Sequence, residues 1–139
     1  MKILFVSNSG TGRGLAAAAM MREKLVKSGK SGQAEIDAAS CRDTGDIYYD
    51  YRIRLKAMNL PFGSSHRFTR KDYDAYDYIY GMDEAVVDGI REILGGQDSG
   101  QKIRNLNIED PWVVGDIDET ISEISQALNQ VLDETGLTR

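Results

Sequence analysis

The sequence predicts an α/β protein with a doubly wound, four-stranded parallel sheet and helices on both faces. Two observations carry this. Short apolar runs that suit buried strands alternate along the chain with longer stretches that suit helices. The first apolar run also ends in a glycine-rich turn that opens a helix, the arrangement that places ligands at the carboxyl ends of parallel strands.

Taken in order, Ile3 to Val6 is a continuous apolar run, as expected of a strand buried on both faces. From about Gly14 to Lys27, alanine, methionine, leucine and Glu/Lys favour a helix. Leu15, Ala18, Leu25 and Val26 fall near one face of it, and Ser28, Gly29 and Gly32 close it. Ala34 to Ala38 is a weaker second strand, and about Asp46 to Met58 reads as a helix despite its tyrosines. Asp77 to Met82 is apolar and aromatic, as a central strand is. A helix from about Glu84 to Leu94 follows, and Gly95 and Gly96 end it. Ile103 to Ile108 makes the fourth strand. The last helix carries the stripe Ile117, Ile121, Ile124, Leu128, Val131 and Leu132. Asp116 with Glu119 three residues on forms a capping pair at its start.

The 139 residues suit one domain, taken as 1–139, with no repeat or linker. A hydrophobic share of 41% and a charged share of 28% are ordinary for a globular protein. The net charge of −5 argues against nucleic-acid binding, which needs a basic face. Cys41 is the single cysteine, so no internal disulfide forms, which fits a reducing compartment. Five apolar residues before Ser7 are too few for a signal peptide or a membrane span. The expectation is a cytoplasmic protein, monomeric or weakly dimeric, with no metal and no cofactor.

Residues 7–14 read SNSGTGRG. Backbone N–H groups of such a loop converge on a concavity, and the helix dipole adds about half a positive charge there. Asn8, Ser9, Gly10, Thr11 and Gly12 are the cradle residues, and Arg13 supplies a planar fork for phosphate oxygens. The plainer alternative is a tight turn with Arg13 paired to a surface carboxylate. There is no GK[ST], and the glycine spacing fails the dinucleotide fingerprint.

The chain resembles the low-molecular-weight protein tyrosine phosphatases. That family opens with a strand and a C-x5-R-[ST] loop, and Ser7 to Arg13 keeps the spacing. Asp110-Pro111-Trp112 matches the family's Asp-Pro-aromatic before the terminal helix. Phe68 to Asp83, FTRKDYDAYDYIYGMD, resembles the segment that enters its Met-Asp strand, and Asp50-Tyr51-Arg52 sits where the family has Asp-x-Arg. The resemblance implies that Arg13 holds the equatorial phosphate oxygens and that Asp110 is the general acid. It places Ser7 at the position of the nucleophilic cysteine. A cradle of amides turns a thiol into a thiolate near neutral pH, but a hydroxyl starts several units higher and needs a general base. Gly10 stands where the family braces the loop with asparagine, and Gly14 where it has Ser or Thr. His66, the single histidine, reads as a surface or capping residue, and Cys41 as a small buried one.

Trp112, Tyr48 and Tyr49 are the candidate walls for an aromatic substrate, with Tyr51 beside them; the other tyrosines read as packing. The expected function is binding of phosphotyrosine on a protein, another phosphate monoester or an inorganic anion, with cysteine-type phosphatase activity impaired or lost. An active phosphatase, or one trapped by a cysteine-to-serine change, is the alternative. A third reading is a flavodoxin-like FMN carrier, since Ser9-Gly10-Thr11-Gly12 resembles a flavodoxin phosphate loop.

Overall fold

A computed structural model describes residues 1–8, 12–42, 47–96, 102–108 and 116–138. The elements are β1 (Lys2–Ser7), α1 (Arg13–Lys27), β2 (Glu35–Ser40), α2 (Tyr49–Ala57), β3 (His66–Arg67), α3 (Arg70–Ala75), β4 (Tyr78–Gly81), α4 (Glu84–Ile93), β5 (Ile103–Asn105) and α5 (Ile117–Thr135). The sheet has five strands, not four, in the order β3-β2-β1-β4-β5, with every pairing parallel.

The additional strand is β3, which pairs Ala39 with His66 and Ser40 with Arg67. Two exposed polar residues at a sheet edge carry no apolar pattern, so periodicity does not reveal them. The short helix α3 was hidden for the same reason, because none of its residues is buried. At the other edge β5 stops after three residues. Asn107 then takes a left-handed backbone (φ 56°) and interrupts the strand. The segment continues to pair loosely: Leu106 N–H donates to Gly81 O (2.9 Å) and Ile108 N–H to Met82 O (2.6 Å). Both side chains are buried, which is why the apolar run read as a longer strand.

Strand alternation sorts side chains to two cores. Ile3, Phe5, Ile36, Ala38 and Tyr80 face α1, α2 and α5, while Leu4, Val6, Ala39 and Ile79 face α4. Helix α1 is buried from Arg13 through Met21 on all sides, because β1 and β2 lie under it and α5 beside it. Val26, expected on its buried face, is 63% exposed, because in that last turn Leu25, at 1%, takes the side that faces the core. The α5 stripe is as expected: Ile124, Leu128 and Val131 are fully buried, with Ile117, Ile121 and Leu132 packed at their margins. Asp116 caps that helix by accepting from Glu119 N–H at 3.2 Å.

Candidate active site

All five strands end at one edge of the sheet. The chain builds β2 and β3 on one side of β1 and then crosses to β4 and β5 on the other. The carboxyl ends of β1 and β4 therefore flank the topological switch point, the crevice where such folds bind ligands. Ser7, Arg13 and Asp83 meet there.

Ser7 is the last residue of β1 and is 3% exposed. Its carbonyl accepts from Cys41 N–H (3.0 Å), and that of Asn8 accepts from Arg42 N–H (3.0 Å). The ladder to β2 thus runs past the strand ends and fixes the first two residues of the loop. Helix α1 begins directly over Ser7. A Cβ added at Gly14 would lie 3.0 Å from Ser7 Oγ and 3.3 Å from Phe5 O, so Gly14 lets the helix start sit closer than a side chain permits. Gly12, the N-cap residue, is held by an aromatic ring. A Cβ there would fall 2.4 Å from Tyr51 Cε2.

Arg13 is 5% exposed, an unusual burial for a guanidinium. Its NH1 donates to Asp83 Oδ2 at 2.7 Å and to Ile108 O at 2.6 Å. Of the two open readings of Arg13, the plainer one is met in part. It pairs with a carboxylate, but one at the floor of the crevice instead of on the surface. Asp83 serves twice, since its Oδ1 also accepts from Val86 N–H (2.9 Å) and caps α4. The cation, the start of α4 and the end of the β5 segment are joined through one part-buried ion pair.

Tyr48 lies half-buried at the N-cap of α2, and Tyr49, next to it, is 67% exposed. Both stand at the loop's edge of the sheet. Ser9, Gly10, Thr11, Asp110, Pro111 and Trp112 lie outside the described residues. His66 is on β3, two strands from β1, with its ring Nε2 2.8 Å from Asp72 Oδ1. Asp72 in turn accepts from Thr69 N–H and caps α3, so His66 belongs to a cap and not to the loop. Cys41 is buried on the opposite face of the sheet from Ser7, its Sγ 3.7 Å from Asn8 Oδ1. Burial pushes its thiol pKa up, with a smaller upward push from Asp83. Among the described residues no cluster of His, Cys, Asp or Glu is arranged to hold a metal, and no helix is long and apolar enough to cross a membrane.

Sequence reasoning missed Asp83 and Ser40. Asp83 had a signal in the Met-Asp that ends the central strand. Ser40 had none, because its place beside Ser7 depends on strand register.

A family sequence model described as low molecular weight phosphotyrosine protein phosphatase matches residues 2–138. The chain belongs to this family. The flavodoxin-like alternative gives way to it. No curated protein matches by sequence. Among solved structures, YfkJ from Bacillus subtilis superposes with a TM-score of 0.90 at 21% identity, covering 100% of this chain and 97% of that one. SP-PTP, a low molecular weight protein tyrosine phosphatase from Streptococcus pyogenes, gives 0.85 at 24% identity, covering 96% and 91%. The arginine phosphatase YwlE, as a cysteine-to-serine mutant with a phosphorylated active-site serine, gives 0.84 at 19% identity, covering 100% and 98%. At these identities the likenesses establish the fold.

Proposed function

We propose that this family member binds a phosphate monoester, phosphotyrosine on a protein or a free oxyanion, in the loop from Ser7 to Arg13, with cysteine-type turnover impaired. One observation carries the reading. The loop keeps a buried guanidinium, braced by Asp83 and Ile108 O, while a serine stands at the strand end that the family reserves for its thiol. A braced arginine holds tetrahedral oxygens at little cost in ordering. The hydroxyl of Ser7 lacks the acidity to attack phosphorus unaided, and His66, tied to Asp72 on the far strand, does not serve as its base. Asp110 is the acid on this reading, and Trp112, Tyr48 and Tyr49 wall the entrance.

Hydrolysis of p-nitrophenyl phosphate tests this. The chain with Ser7 turns over near background, and inorganic phosphate raises its Tm. Ser7→Cys raises turnover about 100-fold or more, and adding Asp110→Asn removes most of that gain. Brisk turnover by the unaltered chain, abolished by Arg13→Ala, would overturn impaired catalysis.

A second reading is favoured by the phosphorylated serine of the YwlE mutant. Here Ser7 Oγ bonds to phosphorus as the substrate's bond to phosphorus breaks, and the Oγ proton leaves with the departing group. The alkoxide is a poor leaving group, so the phosphoserine persists. Intact-mass measurement after incubation with p-nitrophenyl phosphate separates the two, because only the second leaves a phosphoryl group on Ser7.

A further inference from the structure

The β1–β2 register places Ser7 beside Ser40 as Cα partners at the carboxyl ends of adjacent parallel strands. Side chains of register partners share a face of the sheet. Ile3 with Ile36 and Phe5 with Ala38 point to the core under α1, and Ser7 with Ser40 are the next pair in that row. Ser40 is 0% exposed, and its Oγ makes no hydrogen bond with any of the described residues. A buried hydroxyl without a partner costs about 1–3 kcal/mol. Its neighbours Ala38 and Ala39 are small and fully packed, so a third alanine would fit the same space without that cost. The hydroxyl therefore weakens the strand where it stands.

What it faces explains this. Position 14, directly over Ser7, carries no side chain and so offers it no side-chain donor. Adjacent strands lie about 4.8 Å apart. From that separation a serine hydroxyl turned toward its neighbour reaches an oxygen or sulfur on the adjoining side chain, or a phosphate oxygen lying over it.

We infer that Ser40 is a positioning residue of the loop: its hydroxyl donates to negative charge at, or immediately beside, the side-chain atom of residue 7. The ligand class is the tetrahedral oxyanion of the proposed function, on which this inference rests. Ser40 supplies from β2 the support that Gly14 does not supply from α1.

The test places an ionisable atom at residue 7. The thiol pKa of Ser7→Cys is read from the pH dependence of iodoacetamide alkylation, followed at residue 7 by peptide mass spectrometry because Cys41 is a second thiol. Adding Ser40→Ala is expected to raise that pKa by about one unit, a tenfold loss of thiolate stabilisation. In the Ser7 background, Ser40→Ala should leave the Tm of the anion-free protein unchanged or higher, since it removes an unpaired buried hydroxyl. An unchanged thiol pKa overturns the inference. So does a drop in Tm without a pKa change, which marks Ser40 as packing. Inorganic phosphate added to the unaltered chain reports on the loop separately. If phosphate gives no thermal shift while the pKa still responds to Ser40→Ala, the anion-site reading falls and the role of Ser40 stands.

Discussion

The two sides of the candidate loop are built from opposite materials. On the β2 side, Ser7, Ser40 and Gly14 form a small, uncharged slot at the end of the strands. On the β4 side, the buried Arg13 makes a charged, directed contact with Asp83 and Ile108 O. Burying a guanidinium is costly unless a counter-charge and further acceptors surround it, and here both are present. On the function proposed above, the chain thus maintains the expensive half of an oxyanion site. On the same proposal, the slot beside it is where a single sulfur atom would separate holding phosphate from attacking it.

Arg13→Ala breaks this contrast most severely. It leaves Asp83 and Ile108 O without their donor at the floor of the crevice and should cost about 3 kcal/mol or more in urea unfolding near neutral pH. It should also erase any thermal shift with phosphate. A loss below about 1 kcal/mol would show that the charged side is dispensable.

Gly12→Ala probes the seam between the two sides. Its Cβ would meet the Tyr51 ring at 2.4 Å, so the ring or the loop has to move. A destabilisation of about 1–3 kcal/mol follows. Because the movement is local, the Arg13 side of the site should keep part of its anion affinity, which calorimetric titration with phosphate measures.

Tyr80→Phe is a control for a polar contact away from the loop. Tyr80 is 0% exposed, and its hydroxyl donates to Glu134 Oε2 at 2.8 Å. Burial, with Glu134 next, pushes the phenol pKa up. Burial alone would raise the Glu134 pKa, but hydrogen bonds from Gln130 and Tyr80, with Arg104, bring it below the usual range. The depressed carboxylate contributes stability above its unfolded pKa near 4.3, lost as pH falls through the folded value. The raised phenol contributes below its unfolded pKa near 10, lost as pH rises beyond it. The advantage over Tyr80→Phe, about 1 kcal/mol, should therefore be flat from about pH 5 to 9 and shrink on both sides. Urea midpoints across that range check it.

Much of this fold was legible because its central elements are strongly patterned. Ile3 to Val6 is apolar without interruption, and the α5 stripe from Ile117 to Leu132 repeats over about four turns, so both appear where expected. The edges were not legible. His66 and Arg67 form a strand only because β2 offers them a partner, and Asn107 ends β5 through a left-handed backbone that its residue type permits but does not require. The same divide holds in the site. Ser7 and Arg13 were visible through local spacing. Asp83 and Ser40 join them from 70 residues beyond Arg13 and 33 residues beyond Ser7, through sheet order and register that short-range patterns do not encode.

The contact between Arg13 and Ile108 spans 95 residues of sequence. It closes only after β4 has docked on β1 and the chain beyond β5 has reached Met82. We expect the guanidinium to be a late arrival in folding, because a contact of this span carries a large loop-closure cost. Removing that bond should speed unfolding far more than it slows folding. On that expectation, completing the site coincides with a late step of the fold.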